Sequence, residues 1–166
     1  MVDTTGFRNA MSMLGGAVSV ITTDGPAGRW GFTASAVCSV TDQPPMLLVC
    51  MNRASYSNAS FKENGVLCVN VLGAEHQTLS AAFASRELEM PERFACTGWS
   101  RLESGAPVMD EALVSFDCRI AQVHEMGSHS IFYCEILGLK QGAGQEGLAY
   151  FNRAYHRLGE VSKAIC

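Results

Sequence analysis

Charge is scarce in this 166-residue chain: Asp, Glu, Lys and Arg make up 17% of it, the formal net charge is -4, and no basic run gathers the few cations together. A stripe of lysine and arginine for phosphates is therefore missing, which argues against a nucleic-acid partner. No apolar run approaches the ~20 residues of a membrane-spanning helix, and MVDTTGFRNAMSML lacks the basic-then-apolar order of a secretory leader. The expectation is a cytoplasmic protein without a membrane partner.

Metal and nucleophile signatures are also absent. The seven cysteines (38, 50, 68, 96, 118, 134 and 166) are odd in number, contain no C-x-x-C pair and sit mostly among apolar residues. They read as reduced core thiols, not as a disulfide framework or zinc site. The four histidines (76, 124, 129 and 156) have no metal-ligand spacing, so no metal is expected. Ser35 lies in T-A-S-A-V, not in the G-x-S-x-G elbow of a serine hydrolase. Gly142 to Gly147 matches G-x-G-x-x-G, but no helix of useful length and no acidic residue about 20 positions on can follow before Cys166. It reads as a strand connection.

What is present is a globular composition, 48% hydrophobic, with no repeat or linker, so residues 1–166 read as one domain with a core over about 6–158. Phe7, Met11 and Leu14 recur at helical spacing behind Asp3 or Thr4 as a cap. Residues 17 to 24 and the run from Trp30 read as a hairpin around Gly25-Pro26-Ala27-Gly28, and Met46 to Met51 as a separate strand after Pro44-Pro45. Tyr56 to Asn64 reads as a helix stopped by Gly65, Val66 to Leu72 as a buried strand, and Glu75 to Ala84 as a second helix with Leu79 and Phe83 on one face. From Ser85 to Pro107 the pattern weakens to irregular loop with room for one short strand. Leu113 to Glu125 and Ser130 to Lys140 flank a hairpin turn, and Leu148 to Phe151 is a final short strand. Some seven strands and two or three short helices, mostly unalternated, favour a mainly β antiparallel barrel over a doubly wound sheet.

The informative run is WGFTASAVCSVTDQPPMLLVC, residues 30–50. Between its apolar ends lie Thr33, Ser35, Ser39 and Thr41, and beyond it Asn52, Arg53 and Ser55. Such hydroxyls either bond to nearby backbone or face a polar ligand. An arginine, a serine and helix N–H groups together would suit a phosphate.

GFTASAVCSVTDQPPMLLVCMNRAS, LCVNVL, LSAAFA, MGSHSIFYCEI and LAYFNRAYHRL, in that order, resemble the short-chain flavin reductase family over about residues 6–158. The likeness is nearest to the reductase component of the 4-hydroxyphenylacetate 3-monooxygenase system and to the flavin reductase of pyrimidine degradation. It implies an FMN-binding split β-barrel, antiparallel and Greek-key-like, that works as a homodimer with FMN or FAD and takes hydride from NADH. It places Thr33, Ala34, Ser35, Ser39, Val40 and Thr41 along the flavin, Asn52, Arg53 and Ser55 at its phosphate, and Phe83 at an aromatic position beside it. The family's G-D-H turn falls on Gly127, Ser128 and His129, with a serine replacing the acid. His129, Tyr150, Arg153 and Tyr155 are implied at the nicotinamide, and His129 and Ser35 as the catalytic pair.

The reaction so implied is NADH + flavin + H⁺ → NAD⁺ + reduced flavin, with the flavin carrying the chemistry and diffusing to a partner oxygenase. Two other readings stay open at this point. One is a flavin-binding or carrier barrel without turnover; the other is a same-fold reductase with another acceptor, such as a corrin.

Overall fold

The protein is described over residues 1–159 by a computed structural model. Asp3 caps α1 (Thr4–Met11) by accepting from the Gly6 N–H at 2.7 Å, and the chain then enters β1 (Gly16–Ala17) and β2 (Ser19–Thr23). Every residue of β2 is buried, because it has a core on each face. Successive strand side chains point to opposite sides. Val20 accordingly joins Leu72, Leu79, Phe83 and Phe94, whereas its neighbour Ile21 joins Phe61, Val69 and Phe132.

β2 turns back through β3 (Trp30–Ala34), and the chain continues into β4 (Val37–Asp42) and β5 (Pro45–Asn52). After α2 (Asn58–Asn64) come β6 (Val66–Val71), a 3-10 turn (Ala74–His76), α3 (Gln77–Ala84) and α4 (Met90–Phe94). The small hairpin β7 (Trp99–Arg101) and β8 (Pro107–Met109) leads to the long strands β9 (Val114–Met126) and β10 (His129–Gln141). A second hairpin, β11 (Gly147–Phe151) and β12 (Ala154–Leu158), follows. Seven strands form one antiparallel sheet in the order β3-β2-β6-β9-β10-β5-β4, and β1-β11-β12 form another.

The strand order has a geometric consequence. β3 and β4 are opposite edges of the seven-stranded sheet, yet only Ser35 and Ala36 separate them in the chain. The sheet must therefore curl until its edges meet at those two residues. Phe61 fills the interior, edge-to-face with Phe32 of β3 at 5.3 Å and stacked with Phe132 of β10 at 6.4 Å. Among the described residues no hydrogen-bonded ladder joins β3 to β4, so the expected barrel is a curled, open sheet.

One cluster of buried polar groups is tied together around Asn70. Asn70, fully buried, donates to the Val20 carbonyl and Thr22 Oγ1, both at 3.1 Å, and its Oδ1 accepts from the Met109 N–H and Ser115 Oγ, both at 2.8 Å. Thr22 Oγ1 donates onward to the Pro107 carbonyl at 2.5 Å. One amide thus pins the β7–β8 hairpin to the main sheet.

Several expectations change. The helix expected from Tyr56 begins at Asn58, though Gly65 closes it in the left-handed region at φ 67° as read. The stretch expected to be irregular with one short strand holds that strand as β7 but also α4, and β8 begins at its end. Met90-Pro91 reads as a loop signal in the sequence, but Pro91 stands in the first turn of α4, where proline suits a helix start. The terminal strand is a hairpin, and the described residues hold twelve strands where some seven were expected.

Gly142 to Glu146 connects β10 to β11, with a strand and not a helix after it; a Cβ on Gly142 would lie 2.1 Å from the Ala112 carbonyl oxygen. Close backbone packing accounts for that glycine. Cys68, Cys118 and Cys134 are buried core thiols, but Cys38 and Cys96 are exposed and Cys50 is half-buried; Cys166 lies outside the described residues.

Candidate functional site

A cleft of about 340 Å³ opens between the two sheets, lined by Val18, Thr33, Ala34, Ser35, Ser80, Ala84, Tyr150, Arg153 and Tyr155. One wall is the end of β3; the other is the β11–β12 hairpin. Thr33 Oγ1 donates to the Ser80 carbonyl at 2.6 Å, and the Ser80 and Tyr155 hydroxyls are hydrogen-bonded at 2.8 Å. Tyr150 and Tyr155 meet edge-to-face at 5.3 Å. The Thr33 hydroxyl therefore serves the fold, while Ser35 Oγ makes no hydrogen bond among the described residues.

Ser35 also belongs to a second cavity. A groove of about 590 Å³ runs over the outer face of β4 and β5, with Gly16, Ala17, Ser35, Val37, Cys38, Leu48 and Cys50 on its lining and Met11 and Leu14 at its rim. The groove and cleft meet at Ser35, the corner where the sheet edges converge. Desolvation, then the nearby Cys38, raises the Cys50 thiol above its ordinary range.

The Asn52–Ser55 loop and the Gly127–His129 turn lie together at the end of this face. Asn52 pairs directly with His129 across β5 and β10, and Arg53 N–H donates to the Ser128 carbonyl at 2.9 Å. Asn52 Oδ1 accepts from the Ala54 N–H at 2.9 Å, and Ser55 and Ser57 hydroxyls are bonded at 3.2 Å. Ser128 Oγ lies 2.9 Å from His129 Nδ1. The Arg53 guanidinium is already engaged, donating to the Gly127 carbonyl at 3.1 Å and pairing with Glu125 at 3.1 Å. The Lys62 hydrogen bond, then that of Ser130, holds the Glu125 carboxyl below its ordinary range.

Arg153 carries the cleft's cation. Asn152 and Arg153 form the two-residue turn of the hairpin at φ 47° and 59°, a region that non-glycine residues occupy at a cost. Arg153 also donates to the Asn9 side chain, and the Asn152 N–H to the Ser12 carbonyl at 2.7 Å. The strained backbone delivers the side chain to the cleft mouth.

Three expected flavin residues lie apart. Ser39, Val40 and Thr41 are on edge strand β4, and Thr41 pairs with Met46, six positions along β5 from Asn52. That is about 20 Å of strand. Thr41 Oγ1 accepts from the Gln43 N–H at 3.2 Å, a local turn bond. Phe83 is 1% exposed, edge-to-face with Phe94 and Trp99, and packs over Gly31. It is a core side chain with no surface to offer a ligand. Sequence reasoning missed Val18, Ser80 and Ala84 in the cleft and Cys38 and Cys50 in the groove; no local pattern marks residues that only tertiary packing gathers.

The sequence pattern of the flavin reductase like domain matches residues 11–159. The chain is 55% identical over 152 residues to FMN reductase (NADH) RutF of Variovorax paradoxus, covering 92% of this chain and 84% of that one. BorF, the flavin reductase component of a bacterial two-component tryptophan halogenase, superposes with a TM-score of 0.87 at 29% identity, covering 96% of this chain and 100% of that one. The NADH:FAD oxidoreductase SgcE6 of Streptomyces globisporus, solved with NAD and FAD fragments, does so at 0.87 and 25% identity, with coverages of 98% and 95%. Matching sequence over nearly its whole length, and folding as these structures do, the chain belongs to the flavin reductase like domain family.

Proposed function

We infer that this chain is an NADH-dependent FMN reductase acting as a single flavin reductase-like domain. The observation that carries the reading is the meeting of two cavities at Ser35. Passing a hydride requires two planar rings held face to face, and adjoining cavities give each ring a place. The relatives named FMN reductase (NADH) and NADH:FAD oxidoreductase support a nicotinamide donor and a flavin acceptor.

The residues present fit such a pair. Val18, Ala34 and Ala84 supply apolar surface, Tyr150 and Tyr155 aromatic surface, and Ser35 and Arg153 polar contacts at the edges. FMN, when bound, supplies the two-electron chemistry by accepting the hydride of NADH. The Thr33–Ser35 segment orients the ring edge, with Ser35 Oγ free to donate where charge develops. Asn52 and Ser55 bind the polar tail of the flavin. Arg53 adds field rather than a free fork, since Glu125 already pairs with it. His129, Tyr150, Arg153 and Tyr155 hold the nicotinamide nucleotide. Ser39, Val40 and Thr41 take part only where a ligand runs the length of β4.

A homodimer completes the site. Phe7, Met11 and Leu14 of the first helix and its following turn are 55%, 45% and 70% exposed, and Met11 and Leu14 border the groove. An apolar face of this kind suits a second copy of the chain. Reduced flavin then leaves for a partner oxygenase; BorF, the reductase component of a two-component tryptophan halogenase, supports a partner enzyme that consumes the reduced flavin. The buried free thiols suit a reducing compartment such as the cytoplasm, and among the described residues no helix is long and apolar enough to cross a membrane.

Mixing the purified protein with NADH and FMN and following nicotinamide absorbance tests the reading. Catalytic loss of NADH is expected. A stable yellow complex that leaves NADH intact overturns it in favour of a flavin binder.

A further inference from the structure

The geometry points to Ser80 as a positioning residue that sets the nicotinamide side of the cleft, an assignment that rests on the flavin-reductase reading. Ser80 is fully buried at the cleft floor and bonds to both walls. Its carbonyl accepts from Thr33 Oγ1 of β3 at 2.6 Å, and its hydroxyl shares a 2.8 Å hydrogen bond with the Tyr155 hydroxyl of β12. The two strands belong to different sheets, β3 to the curled sheet and β12 to the three-stranded one. A single serine therefore spans the gap between them.

The main-chain links between the sheets lie at the base of the hairpin, where Val18 N–H donates to the Leu148 carbonyl at 2.9 Å and Leu148 N–H to the Leu72 carbonyl at 3.1 Å. Tyr155 is nearer the turn, opposite Tyr150. The turn itself is tied on the α1 side, through Asn152 to Ser12 and Arg153 to Asn9. Among the described residues, the Ser80–Tyr155 bond is the side-chain hydrogen bond that holds the hairpin to the helix behind the cleft. Without it the Tyr155 ring can swing about its Cα–Cβ and Cβ–Cγ bonds, and the cleft loses its fixed width. Ring stacking is sensitive to such displacements.

Ser80→Ala keeps the carbonyl that accepts from Thr33 and removes only the hydroxyl bonded to Tyr155, and Ser80 does not line the groove beyond Ser35. Its effect therefore falls on the nicotinamide side, on NADH and not on FMN. Steady-state NADH oxidation is measured for wild type, Ser80→Ala, Tyr155→Phe and the double variant, varying NADH at saturating FMN and the reverse. Tyr155→Phe removes the same hydrogen bond at a half-buried ring and so guards against a folding defect at Ser80. About a tenfold rise in KM for NADH is expected in each single variant, the size of one lost hydrogen bond, with KM for FMN within about twofold. The double variant is expected to match the worse single one, because both remove one bond. Wild-type kinetics in both single variants, additive effects, or equal losses for NADH and FMN overturn the assignment. A wild-type protein that does not oxidise NADH overturns the flavin-reductase reading itself, and the role of Ser80 with it.

Discussion

Asn52 and His129 face each other directly across the β5–β10 ladder, so the polar loop after β5 and the turn before β10 form one surface although they are far apart in sequence. The Arg53 N–H bond to the Ser128 carbonyl locks the two segments together. Removing the His129 side chain should therefore affect ligand binding without moving the backbone, whereas removing that of Asn52 also frees the Ala54 N–H inside the loop. For Asn52→Ala and His129→Ala we expect about a tenfold loss in kcat/KM each, with thermal stability within a few degrees of wild type. Asn52→Ala should act through KM for FMN and His129→Ala through KM for NADH, which titrating each substrate separately will show.

Arg153 is held at φ 59° in a two-residue turn. Glycine accepts that conformation freely, so Arg153→Gly should leave stability unchanged or raise it by up to about 1 kcal/mol. The same change removes the cleft's cation. KM for NADH should rise about tenfold or more while the melting temperature holds, a split visible by pairing kinetics with calorimetry.

Asn70 satisfies five partners inside the molecule, the Cys68 thiol at 3.4 Å being the fifth. Asn70→Ala strands the Met109 N–H and the Ser115 hydroxyl in a buried site. We expect a cost of about 2–4 kcal/mol in urea unfolding. A variant as stable as wild type would show that the β7–β8 hairpin is held by other contacts.

Acid stability should depend on Asp24. Burial pushes its carboxyl up, but hydrogen bonds from Arg101 and Arg29 outweigh this, and the net direction is downward. A carboxylate lowered in the folded state adds stability above its unfolded value near ~3.9, lost as pH falls through the folded value. The melting temperature should therefore hold near neutrality and fall below about pH 4, and Asp24→Asn should lower the plateau while flattening that acid limb.

Thiol reactivity should split by burial. Desolvation pushes the Cys134 thiol up to about 12, and desolvation, with nearby acidic groups adding to it, raises Cys68 and Cys118 as well. In a Cys166→Ser background, Cys38 and Cys96 should react quickly with a chromogenic disulfide reagent, Cys50 slowly, and the three core thiols only on unfolding. Fast reaction of the core thiols would mean that the sheet opens readily.

Local chemistry made much of this protein readable. Asp3 as a cap, Gly65 as a helix stop, the Gly127-Ser128 turn and the apolar run of β6 each act within a few residues, so sequence alone placed them within one or two positions. The family motifs added the T-A-S segment, Asn52, His129 and the Tyr150–Tyr155 region, and packing gathers those residues around the cleft and the adjoining face. α4 and the second strand of the terminal hairpin were missed because one is a single proline-started turn and a half, and the other depends on a glycine-free turn that sequence rules disfavour. Which hydroxyls serve a ligand was undecidable from the chain alone. Thr33 is claimed by the Ser80 carbonyl and Thr41 by its own turn, while Ser35 is left free at the corner where two cavities meet. That corner exists because adjacent residues in the chain end opposite edges of one sheet, and only the curling of the whole sheet brings those edges together.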